Sequence, residues 1–218
     1  MTAMDETFWR DRWRENRLGW HQPQSHPMLV RRLAALGLEA GSRVFLPLCG
    51  KTLDVGWLLG QGFRVAGAEL VETAIEQLFA ELGVEPEIAQ AGASLRYGAD
   101  GIDIFVGDLF DLTAETLGPV DAVYDRAALV ALPAETRRAY AVHLAEITNR
   151  APQLLITFDY DQDRMEGPPF SVTEEEVRAL YAGDFEIDLL ESAEVEGGLK
   201  GLCPATEQAW ALRPRRTG

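Results

Sequence analysis

The chain has 218 residues, 47% apolar and 25% charged, which is the composition of a globular protein able to bury its own core. Thirty-five acidic residues against 20 basic ones leave a net charge of -15, which weighs against nucleic acid or an anionic membrane surface as a partner. No apolar run is long enough to span a bilayer, the start lacks signal-peptide character, and Cys49 and Cys203 form neither a disulfide framework nor a zinc pattern. The expectation is a single cytoplasmic domain over residues 1–218, acting on small molecules.

The spacing of Phe8, Trp9 and Trp13 predicts a helix around Glu6 to Asn16, followed by the turn-rich Leu18-Gly-Trp20-His21-Gln-Pro23. Apolar residues at 28, 29, 33 and 36 predict a second helix from Pro27 to Leu36, closed by Gly37. From there strands and helices alternate. Strands are predicted at 43–47, 63–68, 102–106, 120–124 and 153–158, with helices at 53–59, 72–82, 133–147 and 173–181. Thr173 and Glu176 match a capping box. Two further strands, 185–190 and 207–212, are separated only by a glycine-rich stretch, too short for a parallel crossover. The fold class is therefore α/β: a doubly wound, mostly parallel seven-stranded sheet with an antiparallel last strand.

Ligands of such sheets sit at the carboxyl ends of the strands. The first strand-to-helix turn reads Pro47-Leu48-Cys49-Gly50-Lys51-Thr52-Leu53-Asp54. Gly50-Lys51-Thr52 matches the end of a phosphate-binding loop, but its first glycine is missing, because position 45 is Phe. The dinucleotide pattern fails as well, with a single glycine between Pro47 and Val55. A ligand without phosphates, S-adenosylmethionine, needs only one small residue there and nearby backbone groups. Glu69 ends the second strand nineteen positions after Gly50, where a carboxylate can accept from two ribose hydroxyls. Asp108, after the third strand, can accept from an adenine amino group while Leu109 packs on the ring. His21 and His26 have no acidic or cysteine partner nearby, so no metal site is expected.

Phe8-Trp9-Arg10-Asp11-Arg12-Trp13 with Leu18-Gly19-Trp20-His21, the string Pro47 to Asp54, and Tyr124-Asp125-Arg126-Ala127-Ala128-Leu129-Val130-Ala131-Leu132 together resemble the thiopurine S-methyltransferase family. Gly167-Pro168-Pro169-Phe170 and the helix after it resemble its bacterial branch. The similarity runs from about Phe8 to Leu212. It implies a class I, Rossmann-like methyltransferase that uses S-adenosyl-L-methionine. It also implies a cofactor site of Trp13, Leu48, Gly50, Glu69, Asp108, Leu109 and Arg126, with Arg126 beside the methionine end or the acceptor. Trp20 matches the aromatic that faces the acceptor, where the family more often has Phe. Residues 5–26 would then form an N-terminal helix and lid, docked through Trp9 and laying Trp13 over the ligand. The tail between Glu191 and Ala205 departs from the family, and Lys200 is a candidate second cation on the acceptor side.

The reaction expected is transfer of a sulfonium methyl group to an aromatic or heterocyclic thiol such as a thiopurine, by direct in-line displacement. The leaving sulfur is already activated, so proximity and exclusion of water are the protein's main tasks. Arg126 is the candidate to favour the acceptor thiolate by its charge. Three alternatives stand beside this reading: methylation of selenium or tellurium species, as in metalloid resistance, a nicotinamide-dependent oxidoreductase, and a non-catalytic cofactor-binding module. The partner expected is a small thiol, and the protein is expected to be a monomer.

Overall fold

The computed structural model describes residues 6–15, 17–19 and 21–215. In chain order the elements are α1 (Glu6–Arg14), α2 (Pro27–Arg32), β1 (Arg43–Leu46), α3 (Asp54–Gly60), β2 (Arg64–Glu69), α4 (Glu72–Leu82), β3 (Glu87–Ala91), β4 (Ser94–Ala99) and β5 (Ile102–Val106). They continue with α5 (Ala114–Leu117), β6 (Ala122–Arg126), α6 (Ala134–Ile147), β7 (Gln153–Tyr160), α7 (Glu174–Tyr181), β8 (Phe185–Glu194) and β9 (Ala205–Pro214). By the density of their contacts the residues group into two compact units. Among the described residues, the first comprises those up to Pro27 and 38–121, the second 28–37 and those from Ala122 onward.

In the first unit β1 pairs in parallel with β2, and β2 with β5. All four residues of β1 and five of the six in β2 are buried, as expected of strands covered on both faces. Helix α4 presents Ala74, Ile75, Leu78 and Phe79 inward, an i, i+1, i+4, i+5 stripe, and ends at left-handed Gly83. Arg43 opens β1 and is nearly buried; it reaches the carbonyls of Leu117 and Pro119 and the carboxylate of Asp103. Burial holds the Arg43 pKa below its ordinary value although Asp103 opposes the shift.

All seven predicted strands are present, and the first unit adds two more. Strand β4 runs antiparallel to β5, and β3 antiparallel to β4 at the edge. This hairpin was illegible because β3 is almost wholly exposed and carries no buried face to impose alternation.

In the second unit β6 and β7 are parallel, while β9 runs antiparallel to both β7 and β8. The antiparallel last strand is therefore as the short β8–β9 connection required. Its central residues, Ala209 to Leu212, are fully buried, and Trp210 donates from Nε1 to Thr157 Oγ1 at 2.9 Å. Helix α6 buries Arg137, Tyr140, Ala141, Leu144 and Ala145 along one stripe. The Thr173 hydroxyl caps α7 by accepting from Glu176 N at 3.3 Å, one half of the expected capping box, while the Glu176 carboxylate is taken by Arg137 instead of reaching back. The helix expected from Pro27 to Leu36 is α2 continued by a tighter 3₁₀ turn, Leu33–Leu36, which stops at left-handed Gly37.

Candidate functional site

The turn from β1 into α3 is fastened to the end of β2 by two hydrogen bonds. Cys49 N donates to Ala68 O at 2.9 Å, and Gly50 N donates to Glu69 Oε2 at 2.8 Å. Two residues of this turn are left-handed, Leu48 at φ 47° and Gly50 at φ 54°. Glycine adopts that conformation freely, whereas Leu48 pays about 1–2 kcal/mol for it. Strain of this kind persists only where the surroundings over-determine the backbone, and it gathers at ligand-binding sites.

Gly67, within β2, makes the close approach feasible. A Cβ there would lie 2.7 Å from Ile104 Cδ1 and 3.0 Å from Cys49 Sγ. A glycine inside a strand signals close backbone approach, so this contact is marked in the sequence itself.

Glu69 itself is only 7% exposed, so it is not a solvated strand-end charge. Its Oε1 accepts from Val71 N at 2.9 Å, and its backbone carbonyl accepts from Gly107 N at 2.9 Å. One residue thus joins the turn after β1, the start of α4 and the loop after β5. Burial raises the Glu69 pKa above the usual carboxylate range, while amides of Val71, Gly50 and Leu70 pull the other way. A carboxylate offers about four lone-pair positions, more than these three amides use. Glu69 therefore fits the role of acceptor for a ribose diol.

Asp108 lies just beyond β5 and is exposed. Its Oδ1 accepts from Phe110 N at 2.9 Å and caps the short turn Leu109–Asp111. Within that turn Leu109 is buried and Phe110 is exposed. The backbone bond from Gly107 to Glu69 brings this segment to the β2 terminus, so the structure unites Leu48, Gly50, Glu69 and the Asp108 loop on one edge of the first unit.

Of the two tryptophans on α1, the chain covers Trp13 and leaves Trp9 half-buried. This reverses the burial expected of a helix docked through Trp9. Trp9 instead meets Phe8 edge-on, with ring centroids 5.2 Å apart. Trp20 lies outside the described residues.

Arg126 ends β6 in the second unit and is half-buried. Asp125, the residue before it, is fully buried. Its Oδ2 accepts from Tyr140 Oη at 2.6 Å, and its Oδ1 from Leu129 N at 3.1 Å. Lys200 donates to Pro168 O at 2.5 Å, which ties the β8–β9 connection to the Gly167–Phe170 segment.

The phosphate-loop alternative loses its lysine as well as its glycine, since Lys51 pairs with Glu81 at 2.7 Å. Burial, with the Glu69 charge second, pushes the Cys49 thiol well up, so the turn cysteine is a protonated packing group. Among the described residues no group of three or more His, Cys, Asp and Glu side chains is arranged to hold a metal ion. Among the same residues no helix is long and apolar enough to cross a membrane.

Known proteins resemble this chain in fold and, more closely, in sequence. The solved 1,6-didemethyltoxoflavin-N1-methyltransferase of Burkholderia thailandensis, with S-adenosylhomocysteine bound, superposes with a TM-score of 0.65 at 18% identity, covering 96% of this chain and 87% of that one. The magnesium protoporphyrin IX methyltransferase of Synechocystis, also with bound S-adenosylhomocysteine, gives 0.63 at 18% identity, covering 96% of this chain and all of that one. At such identities the likeness establishes the fold, that of S-adenosylmethionine-dependent methyltransferases. Sequence relatives are much nearer. A thiopurine S-methyltransferase of Xanthobacter autotrophicus is 54% identical over 210 residues, 96% of this chain and 99% of the relative. One of Gluconobacter oxydans is 49% identical over 207 residues, 95% of this chain and 94% of the relative. The family profile described as thiopurine S-methyltransferase matches residues 4–208, and the chain belongs to that family.

Proposed function

We propose that this protein is an S-adenosyl-L-methionine-dependent methyltransferase acting on the sulfur of an aromatic or heterocyclic thiol such as a thiopurine. The observation that carries the reading is the Glu69–Gly50 closure, in which a buried carboxylate with spare acceptor capacity stands against a strained, glycine-containing turn. Membership of the family supplies the acceptor class.

When bound, the cofactor supplies a methyl group on a cationic sulfur, which becomes a neutral thioether as the acceptor sulfur forms its new bond to carbon. Glu69 would accept from the ribose hydroxyls, and the Leu48–Gly50 backbone would meet the amino-acid end. Asp108 and Leu109 would frame the adenine, and Trp13 and Trp20 would close over cofactor and acceptor from the segment 5–26. An aromatic thiol ionises readily and loses its proton to solvent, so no side chain need act as general base. Arg126 would favour the thiolate, and so raise the fraction of acceptor that carries the nucleophilic lone pair. An acidic chain whose described helices include none able to span a bilayer suits a cytoplasmic monomer working on a small thiol.

The test is calorimetric titration with S-adenosylhomocysteine of the wild-type protein and of Glu69→Ala, followed by assay of methyl transfer to a thiopurine. One-to-one binding that weakens about 10- to 100-fold in the variant is expected, the equivalent of losing charged hydrogen bonds. Absence of binding by the wild type would sink the methyltransferase reading. Binding without transfer to thiols, in the presence of transfer to selenite or tellurite, would replace the acceptor class.

A further inference from the structure

We propose that Asp125 is a positioning residue for Arg126, fixing through its buried carboxylate the turn that sets the arginine at the end of β6. The proposal rests on the functional reading above only in so far as Arg126 serves methyl transfer.

Successive strand residues point to opposite faces, so the burial of Asp125 directs the Arg126 side chain to the other side of the sheet. Directly after Arg126 the backbone turns left-handed at Ala127, φ 64°, without a glycine to make that conformation easy. Such a turn needs support, and Asp125 provides it by a local side-chain-to-backbone bridge across the turn. Its carboxylate accepts from the backbone of both Leu129 and Ala128, while its other oxygen is anchored by the Tyr140 hydroxyl from α6. Tyr140 is fully buried, so no solvent competes with it for the carboxylate.

The turn is gripped from its far side too. Val130 O, within the short helical turn Leu129–Ala131, accepts from Phe170 N at 2.6 Å. Arg137 stands behind Phe170, bonding Leu132 O at 2.9 Å, Ser171 O at 3.1 Å and Glu176 Oε1 at 2.6 Å. A buried carboxylate costs stability where an apolar residue would pack without penalty. What Asp125 provides in return is one defined geometry for the chain that carries Arg126.

The experiment is a double-mutant cycle on kcat/KM for thiopurine methylation, using Asp125→Ala, Arg126→Ala and the double variant, with Asp125→Asn as the conservative control. Hydrogen exchange at the Ala128 and Leu129 amides is measured on the same proteins. The expected result is a loss of about 10- to 100-fold for Asp125→Ala in the wild-type background, and of less than about twofold once Arg126 is gone. Asparagine retains a carbonyl acceptor for the two amides, so Asp125→Asn should keep most of the activity. Amide exchange at 128 and 129 should speed up in Asp125→Ala and stay slow in Asp125→Asn. Additive losses in the cycle would overturn the proposal, because a merely structural role lowers activity regardless of Arg126. So would an Arg126→Ala protein of unchanged turnover. If Asp125→Ala fails to fold, Tyr140→Phe takes its place in the cycle with the same expectations. Should the wild type bind S-adenosylhomocysteine but methylate no thiol, the functional reading fails by itself. The same cycle is then read on S-adenosylhomocysteine affinity, and additive losses of affinity, or unchanged protection at 128 and 129, overturn the Asp125 proposal.

Discussion

Glu69 Oε2 accepts the backbone N–H of Gly50 at 2.8 Å, so the carboxylate that ends β2 also shapes the turn that ends β1. One side chain therefore serves both the ligand and the fold. Replacing it with alanine leaves the buried amides of Gly50 and Val71 without their acceptor. Glu69→Ala should lose about 1–3 kcal/mol of stability on urea unfolding. S-adenosylhomocysteine at a hundred times its dissociation constant should stabilise the wild type by about 2.7 kcal/mol and the variant by far less at the same concentration. Equal ligand stabilisation of both proteins would separate Glu69 from the cofactor.

The contact that brings the turn against β2 depends on the absence of a side chain at Gly67. Gly67→Ala would push a methyl group to 2.7 Å from Ile104 Cδ1 and 3.0 Å from Cys49 Sγ. The overpacking should cost about 1–3 kcal/mol. Adding Ile104→Val removes the nearest clashing atom, so the double variant should be more stable than the two single losses predict by addition. Chemical denaturation of all four proteins completes the cycle, and simple additivity would mean that the strands move apart instead.

Asp125 makes stability depend on pH in a direction opposite to most paired carboxylates. Burial raises its pKa from 3.8 to about 6, against the pull of Tyr140 and the backbone amides. A folded-state pKa above the unfolded value gives a contribution that is complete below about pH 4 and is lost as pH rises through about 6. The loss is on the order of 3 kcal/mol for this group. Asparagine cannot ionise. The stability of wild type minus that of Asp125→Asn should therefore fall by this amount between pH 4 and pH 7. A difference that stays flat across that range would show that the carboxylate is paid for by its hydrogen bonds.

Cys49 should be slow to react. With its thiol pushed well up by burial and by the Glu69 charge, little thiolate exists near neutrality. Alkylation by iodoacetamide at pH 7.5 should proceed at least about tenfold more slowly than for free cysteine. Rapid labelling at position 49, located by peptide mass, would contradict the packing of the turn.

Much of this protein is legible in its amino-acid sequence. The alternation of buried strands and amphipathic helices, punctuated by Gly37, Gly83 and Thr173, specified an α/β chain, because period and caps are local properties written residue by residue. The carboxylate at the end of β2 was found by its distance from Gly50, since a strand–helix–strand unit of fixed length brings those two ends together. The β3–β4 hairpin was not readable, because an exposed edge strand owes its pairing to a neighbour and not to its own pattern. Nor could sequence reveal that Trp13 is covered more than Trp9, that Asp125 is held by Tyr140, or that Lys51 is held by Glu81. Each of these is a choice among partners distant along the chain. Only tertiary packing makes that choice, by deciding which polar group is left in reach once the apolar surfaces have closed.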